Sequence, residues 1–537
     1  MDAHSFRPLY GTIGLSLYGL GAIPTGTTRS ELRRAPLGPV SDTTVSVSKI
    51  LSVCEDETVC TILRGLTGTL DDFGDTFICP SFKKSKDKAE FLSTIKTLPV
   101  RPSKPSECIK GLEKAGVLQQ YKVTNLLWLA AVCFPVLKSD GVHVRGVIDP
   151  LLNNILPKPL LYDCGLPRIH VALEAMAAYS YAVVYDAVSC FYQFPLSDAV
   201  ASLFTVKVAN KYYRHTRLPM GFSYAVHCTQ LFLMWLASTA ATRAGLQEGQ
   251  VMSFVWVDNV VLLATSRQAL QSFEQSFTEL LKELTVNCRK EQDITPLFTW
   301  AGLEIDLTAK SYGLSTKWVS KVKPWQAGIQ RAAATSSLVP YYSWQKWIGI
   351  VVYACYIRRF SFGLLRPYFQ TMKSPQRLVD ISAIHHGFLD NLLNREMLPL
   401  IPPQRTEAPF QIWTDASTEA AGGILIHDDE QLSPEDFTYI WPTHLQNLHI
   451  NVKEALALLL ALHLWQPKDT HVTVWVDNTA VIGAVTKGYS PSEQLNTVVK
   501  SIINLCEYLN LSITCLYVPS AMNIADSLSR PSEWFST

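Results

Sequence analysis

Short apolar runs that end on single carboxylates set the rhythm of this chain. Tyr181 to Tyr185 is β-branched and aromatic and stops at Asp186, which predicts a strand with a carboxylate at its end. Ser253 to Ala264 predicts an apolar hairpin, interrupted at its centre by Asp258 and Asn259. A polar pair inside an apolar hairpin breaks the local rule, and such breaks mark function. Residues 106–306 therefore read as alternating strands and helices, and 307–405 as a basic helical region. A Pro-rich linker over 401–409 leads into a second α/β region, 406–537, that begins with the strand Phe410–Trp413 and Asp415. Glu454 opens an apolar helix running to Trp465, and Asp477 ends the strand His471–Val476. Residues 1–80 are rich in Gly, Ser and Thr with weak periodicity, and Lys83–Lys104 reads as a basic, proline-bearing hinge. Residues 1–105 thus form an N-terminal extension and linker to which the sequence assigns no function. No repeat is visible, although Trp-Val-Asp-Asn occurs at both 256–259 and 475–478, each time as a strand ending in a carboxylate.

Composition narrows the class. The 537 residues allow three or four domains, and 48% apolar with 17% charged residues is ordinary for a globular protein. The longest clean apolar run, Leu126–Leu137, contains Pro135 and is too short to span a membrane. The N-terminus lacks a basic region ahead of an apolar core, so no signal peptide is expected and the location is read as cytoplasmic or nuclear. Twelve scattered cysteines without a C-x-x-C pair favour free thiols over zinc or disulfides. The net charge of +1 is uninformative, but its distribution is not. Thr308–Lys373 holds ten Lys or Arg and no acid, interleaved with Trp318, Trp325, Trp344 and Trp347. That mixture predicts a phosphate-tracking surface, with a solvated helical face as the alternative.

Phosphoryl transfer to a primer 3′-hydroxyl needs two divalent ions about 3.5–4 Å apart, held by carboxylates on rigid elements. Asp186 and Asp258 meet that minimum. The strings around them, Val184-Tyr-Asp-Ala-Val-Ser-Cys-Phe191, Leu218-Pro-Met-Gly-Phe-Ser223 and Phe254-Val-Trp-Val-Asp-Asn259, resemble in order and spacing the palm motifs of reverse transcriptases. Pro135–Gly141 and Arg145–Asp149 resemble the fingers, and Asn287–Lys290 and Phe298–Asp306 the last palm elements and primer grip. The resemblance implies that Asp186 and Asp258 hold two Mg2+ (or Mn2+) ions and that Lys138 and Arg145 contact the incoming triphosphate. It further implies that Met220 and Gly221 line the nucleotide pocket, that Lys290 neutralises the leaving pyrophosphate, and that Phe191 is a steric gate favouring dNTPs. Three positions depart from the family: Asn259 replaces a second aspartate, Leu151 an arginine, and Val226 stands near a missing proline.

Downstream, Asp415, Glu454, Asp477 and Asp526 follow the order of the RNase H acids, which also use two metals, now with water as nucleophile. Tyr517-Val-Pro-Ser520 resembles the loop that often reads His-x-Pro-Gly in that family, and no histidine follows His471. The resemblance covers roughly residues 125–535 and implies a right hand of fingers, palm and thumb followed by an RNase H-like domain. The implied partners are an RNA template, a DNA primer, the RNA–DNA hybrid and dNTPs. The short linker and the ending Ala525-Asp-Ser-Leu-Ser-Arg530 resemble gypsy-type and DIRS-like retrotransposons, the latter including VIPER-type elements. Two rival readings are a catalytically weakened RNA-binding scaffold, suggested by Asn259, and an RNA-directed RNA polymerase, opposed by Phe191 and the RNase H acids.

Overall fold

The computed structural model of the chain describes residues 29–78, 85–97, 102–122, 130–138, 141–156, 165–335, 338–360, 365–372, 378–382, 384, 387, 389–401, 406–429 and 431–532. The mixed α+β, multidomain architecture expected from the sequence is present. The chain divides into two compact units, Met1–Gln326 with Arg395–Ile401, and Ala327–Asn394 with Pro402–Thr537. The division cuts the region read from the sequence as one block, 307–405. Strand Ser311–Leu314 stays with the first unit because it pairs with Leu303–Asp306 and with Leu398–Pro399. Helix Tyr341–Arg358 belongs to the second. No helix among the described residues is long and apolar enough to cross a membrane.

The centre of the first unit is a four-stranded antiparallel sheet in the order Cys288–Thr295, Tyr181–Ala187, Asn259–Ala264, Val251–Trp256. Val183, Val184 and the run Val260–Ala264 are buried. Helices Ala225–Arg243 and Arg267–Glu283 pack against this sheet. The second of these is capped by Ser266, and its buried stripe of Leu270, Phe273, Phe277, Leu280 and Leu281 keeps helical spacing. A second sheet runs Leu118–Gln120, Lys211–His215, Thr205–Val208, Ala130–Leu137, Val144–Pro150, with Pro102–Ser103 beside Thr205–Val208.

Residues 29–78 are more ordered than the composition of the N-terminal stretch suggests. Asp56 caps helix Glu57–Thr67, and a Thr69–Asp72 capping box starts helix Leu70–Phe77. Their apolar faces, with Ile62, Leu63, Leu66, Phe73 and Phe77, are buried in the first unit. The hinge expected over Lys83–Lys104 contains the helix Ser85–Thr97, and residues 79–84 and 98–101 lie outside the described residues.

In the second unit a six-stranded mixed sheet runs Thr406–Glu407, Thr470–Val476, Phe410–Ala416, Ala420–His427, Glu435–Ile440, with Ser512–Tyr517 parallel to Thr470–Val476. Helices Ile450–Trp465 and Glu493–Tyr508 bury Leu458, Leu462, Val499 and Ile502 in its core. The aromatic part of the phosphate-tracking surface expected over 308–373 requires a correction. Trp318, Trp325, Trp344 and Trp347 are at most 6% exposed, and Trp344 stacks on Tyr368 with ring centroids 5.3 Å apart. The four indoles are core, so they offer no stacking platform. Lys317, Lys323, Arg331, Lys346 and Arg359 are exposed while Arg358 is buried, and Lys373 lies outside the described residues.

Candidate active sites

Asp186 and Asp258 are brought together by strand register. Asp186 pairs with Asn259 across the ladder, and the Ala187 amide donates to the Asp258 carbonyl at 2.7 Å. Asp258 occupies a two-residue turn between Trp256 and Asn259, where Val257 adopts φ +59°. A β-branched residue in that left-handed region is strained by about 1–3 kcal/mol and persists only where the surroundings hold it. Gln230, fully buried on the neighbouring helix, does this: its Oε1 accepts from Val257 N and its Nε2 donates to Val255 O, both at 2.8 Å. Gln230 drew no notice in the sequence because an isolated glutamine on an apolar helix carries no local signal.

Burial first, then the nearby Asp258 and Glu291 carboxylates, push Asp186 up to about 7, against the pull of Arg289 and Lys317. Asn259 Oδ1 is buried and finds no hydrogen-bond partner among the described residues. An all-oxygen set with an orphaned buried oxygen fits a hard divalent cation.

The other residues expected at this site divide. Ile148 N donates to Met220 O at 2.8 Å, and Gly221, at φ +110°, lies where a Cβ would meet Ile148 O at 1.9 Å, so no other residue fits there. Asn153 clamps the same loop, donating from Nδ2 to Gly221 O at 2.8 Å and accepting at Oδ1 from Ser223 N at 3.0 Å. Phe191 is 9% exposed in the 3-10 turn Cys190–Gln193, after Ser189 at φ 50°. Arg145 pairs with Val136 across the hairpin, which puts it on the same face as Lys138. Lys290 pairs with Tyr185, on the sheet face opposite Asp186. Its ammonium is held by Glu274 at 2.5 Å and Asp293 at 3.3 Å. Lys290 therefore does not face Asp186; Arg289, its neighbour, pairs with Asp186 directly.

The second site lies on the mixed sheet. Asp415 is on its first long strand, Glu454 in the first turns of Ile450–Trp465, and Asp477 follows Thr470–Val476. One ligand oxygen from each lies within 4.8 Å of the others. Glycine makes the crowding feasible: a Cβ at Gly422, opposite Asp415, would sit 2.6 Å from Leu528 Cβ on the last helix. Burial, with Asp477 and Asp526 adding to it against a Ser529 hydrogen bond, pushes Asp415 up to about 6. Burial and then the Asp415 and Asp477 charges push Glu454 up to about 9. Asp415 Oδ2 and Glu454 Oε2 are buried and accept no hydrogen bond among the described residues. Again the oxygen donors fit a hard cation. Asp526 stands apart from the trio, its carboxylate gripped by Arg530 at 3.0 and 3.2 Å. Two supporting residues were not foreseen. Asn523 Nδ2 donates to Asp415 Oδ1 at 3.2 Å, and Ser520 Oγ donates to Asp477 Oδ2 at 2.7 Å.

No family model matches this chain, and no curated protein matches it. Solved structures do resemble it. Foamy viral protease-reverse transcriptase dRH in complex with double-stranded DNA shares 15% identity at a TM-score of 0.40, over 91% of this chain and 85% of that one. The foamy viral protease-reverse transcriptase with dsDNA gives 15% and 0.39, over 89% and 99%. Its complex with an RNA/DNA hybrid gives 15% and 0.42, over 89% and 64%. At this distance a functional reading has to stand on the residues of the two sites.

Proposed function

We propose that this chain is an RNA-directed DNA polymerase that copies retroelement RNA into DNA and, at its second site, degrades the RNA strand of the resulting hybrid. The observation that carries the reading is the presence, in one chain, of two separate oxygen-only carboxylate sites, Asp186 with Asp258 and the trio Asp415, Glu454 and Asp477. The carboxylates named would hold two magnesium or manganese ions per site, which polarise the phosphoryl group and activate the attacking primer hydroxyl or water. Asp526, outside the trio, would join the second set only by leaving its ion pair with Arg530. The chain's own residues do the rest. Lys138 and Arg145, on one face of their hairpin, are suited to the triphosphate, and Gly221 lets the backbone close on the base. Phe191, in the 3-10 turn just after Asp186, would exclude a ribose 2′-hydroxyl. Because burial raises Asp186, Asp415 and Glu454, each must release its proton before it can hold an ion. The ending Ala525–Arg530 and the short linker support a DIRS-like or gypsy-type element as the source.

One observation favours a second reading, a catalytically weakened scaffold of the same fold: Asn259 supplies an oxygen without a charge. Primer extension on an RNA template with dNTPs and magnesium separates the two. Extension by wild type that Asp258→Ala abolishes supports the polymerase, and silence rescued by Asn259→Asp supports the weakened copy. If both stay silent while primer–template is bound, the scaffold reading replaces it. Cleavage of a labelled RNA–DNA hybrid, lost in Glu454→Gln, tests the second activity.

A further inference from the structure

The helices Glu57–Thr67 and Leu70–Phe77 lie in the stretch to which the sequence assigned no role, yet the second sets Phe73 and Phe77 against the nucleotide-side loop Leu218–Tyr224. Phe222 of that loop is 2% exposed, with the Phe73 ring at 6.1 Å and the Phe77 ring at 5.8 Å on one side. Phe204 closes the cluster at 5.0 Å. Phe77 also meets Tyr224 edge-on at 5.1 Å, and Phe73 and Phe77 touch each other at 4.9 Å. The helical segment is tied in by its backbone as well. Ser197 N donates to Leu66 O at 3.1 Å, and Ser197 Oγ to Gly68 O at 2.7 Å. Phe222 follows Gly221 directly, so a shift of its ring moves the backbone that approaches Ile148 O.

We infer that the helical segment 57–77 is a brace that sets the conformation of the loop Leu218–Tyr224, with Phe77 and Phe73 as its positioning residues. The loop has Asn153 on one side, through Gly221 O and Ser223 N, and the aromatic cluster on the other. Offset and edge-on ring pairs have preferred geometries, so the cluster restricts where Phe222 can sit as well as burying it. The consequence for nucleotide binding rests on the polymerase reading above; the brace itself does not.

Phe77→Leu keeps a buried apolar side chain but removes the ring, and Phe73→Leu on Asp72's helix repeats the test. Phe273→Leu, buried on the separate helix Arg267–Glu283, serves as the comparison for general core loss. Hydrogen exchange of the amides of residues 220–225 should speed up about three- to tenfold in the Phe77 and Phe73 variants, the worth of one aromatic pair. The hairpin Val251–Ala264 should keep its protection in both. In primer extension the same variants should raise KM for dNTP by a similar factor while binding primer–template within about twofold of wild type. Unchanged exchange over 220–225, or exchange there that Phe273→Leu accelerates equally, overturns the brace. Faster exchange with unchanged dNTP KM in an active enzyme overturns its role at the pocket. If wild type extends no primer, the polymerase reading fails, and the exchange result still decides the brace.

Discussion

Gln230 offers the sharpest test of how the first site is held together. Gln230→Met preserves length and volume but removes both amide bonds to the hairpin turn, at Val257 N and Val255 O. Each buried backbone group left unpaired costs about 1–3 kcal/mol. The valine at φ +59° carries a further ~1–3 kcal/mol of strain that the clamp no longer offsets. Taking about 3 kcal/mol as the net preference for a relaxed turn, roughly one molecule in a hundred keeps Asp258 beside Asp186. Single-turnover primer extension should therefore slow about a hundredfold. Hybrid cleavage, which the proposal assigns to the second unit, should stay near wild type. Adding Val257→Gly removes the φ penalty and should recover about fivefold, equivalent to ~1 kcal/mol. Wild-type extension by Gln230→Met, or no recovery on adding Val257→Gly, would refute the reasoning.

Four further outcomes follow from the geometry. Glu454 at about 9 and Asp415 at about 6 lie above ordinary carboxylates, so the stability they contribute is present at pH 4 and lost as pH rises through those values. The Tm of the metal-free chain should fall from pH 5 to pH 9, and magnesium should restore more of it at the higher pH; Glu454→Gln should flatten both trends, which differential scanning fluorimetry would show. Ser520→Ala frees Asp477 Oδ2 and should weaken Mn2+ binding at the second site by about tenfold, read by electron paramagnetic resonance titration. Lys290→Ala should leave the rate of extension within about twofold, because its ammonium is engaged by Glu274; a larger loss in pyrophosphate-dependent steps would reinstate it as a leaving-group residue. Gly422→Ala should destabilise the second unit by about 1–3 kcal/mol and reduce hybrid cleavage, since its methyl displaces the helix that bears Asp526, measured by urea unfolding alongside the cleavage assay.

Much of the two sites was legible along the chain because strand ends declare themselves. Apolar, β-branched runs halted by Asp186, Asp258, Asp415 and Asp477 are local patterns, and each carboxylate lies in or just after the strand or turn so marked. The brace helices were not legible: Gly, Ser and Thr in residues 1–80 diluted an apolar face that needed Phe222 as its partner to become meaningful. Likewise the four tryptophans of the basic stretch read as a surface until packing turned them inward. The repeated Trp-Val-Asp-Asn draws the line most clearly. At 475–478 the valine continues a parallel strand and Asn478 caps the helix Thr479–Lys487, accepting from Ala480 N and Val481 N. At 256–259 the same four residues make a tight turn with Val257 left-handed and Asn259 back in the ladder. Identical local propensities admit both shapes. The difference is tertiary: a buried glutamine from another helix holds one turn closed, while two parallel neighbours hold the other strand extended, and neither partner is near in sequence.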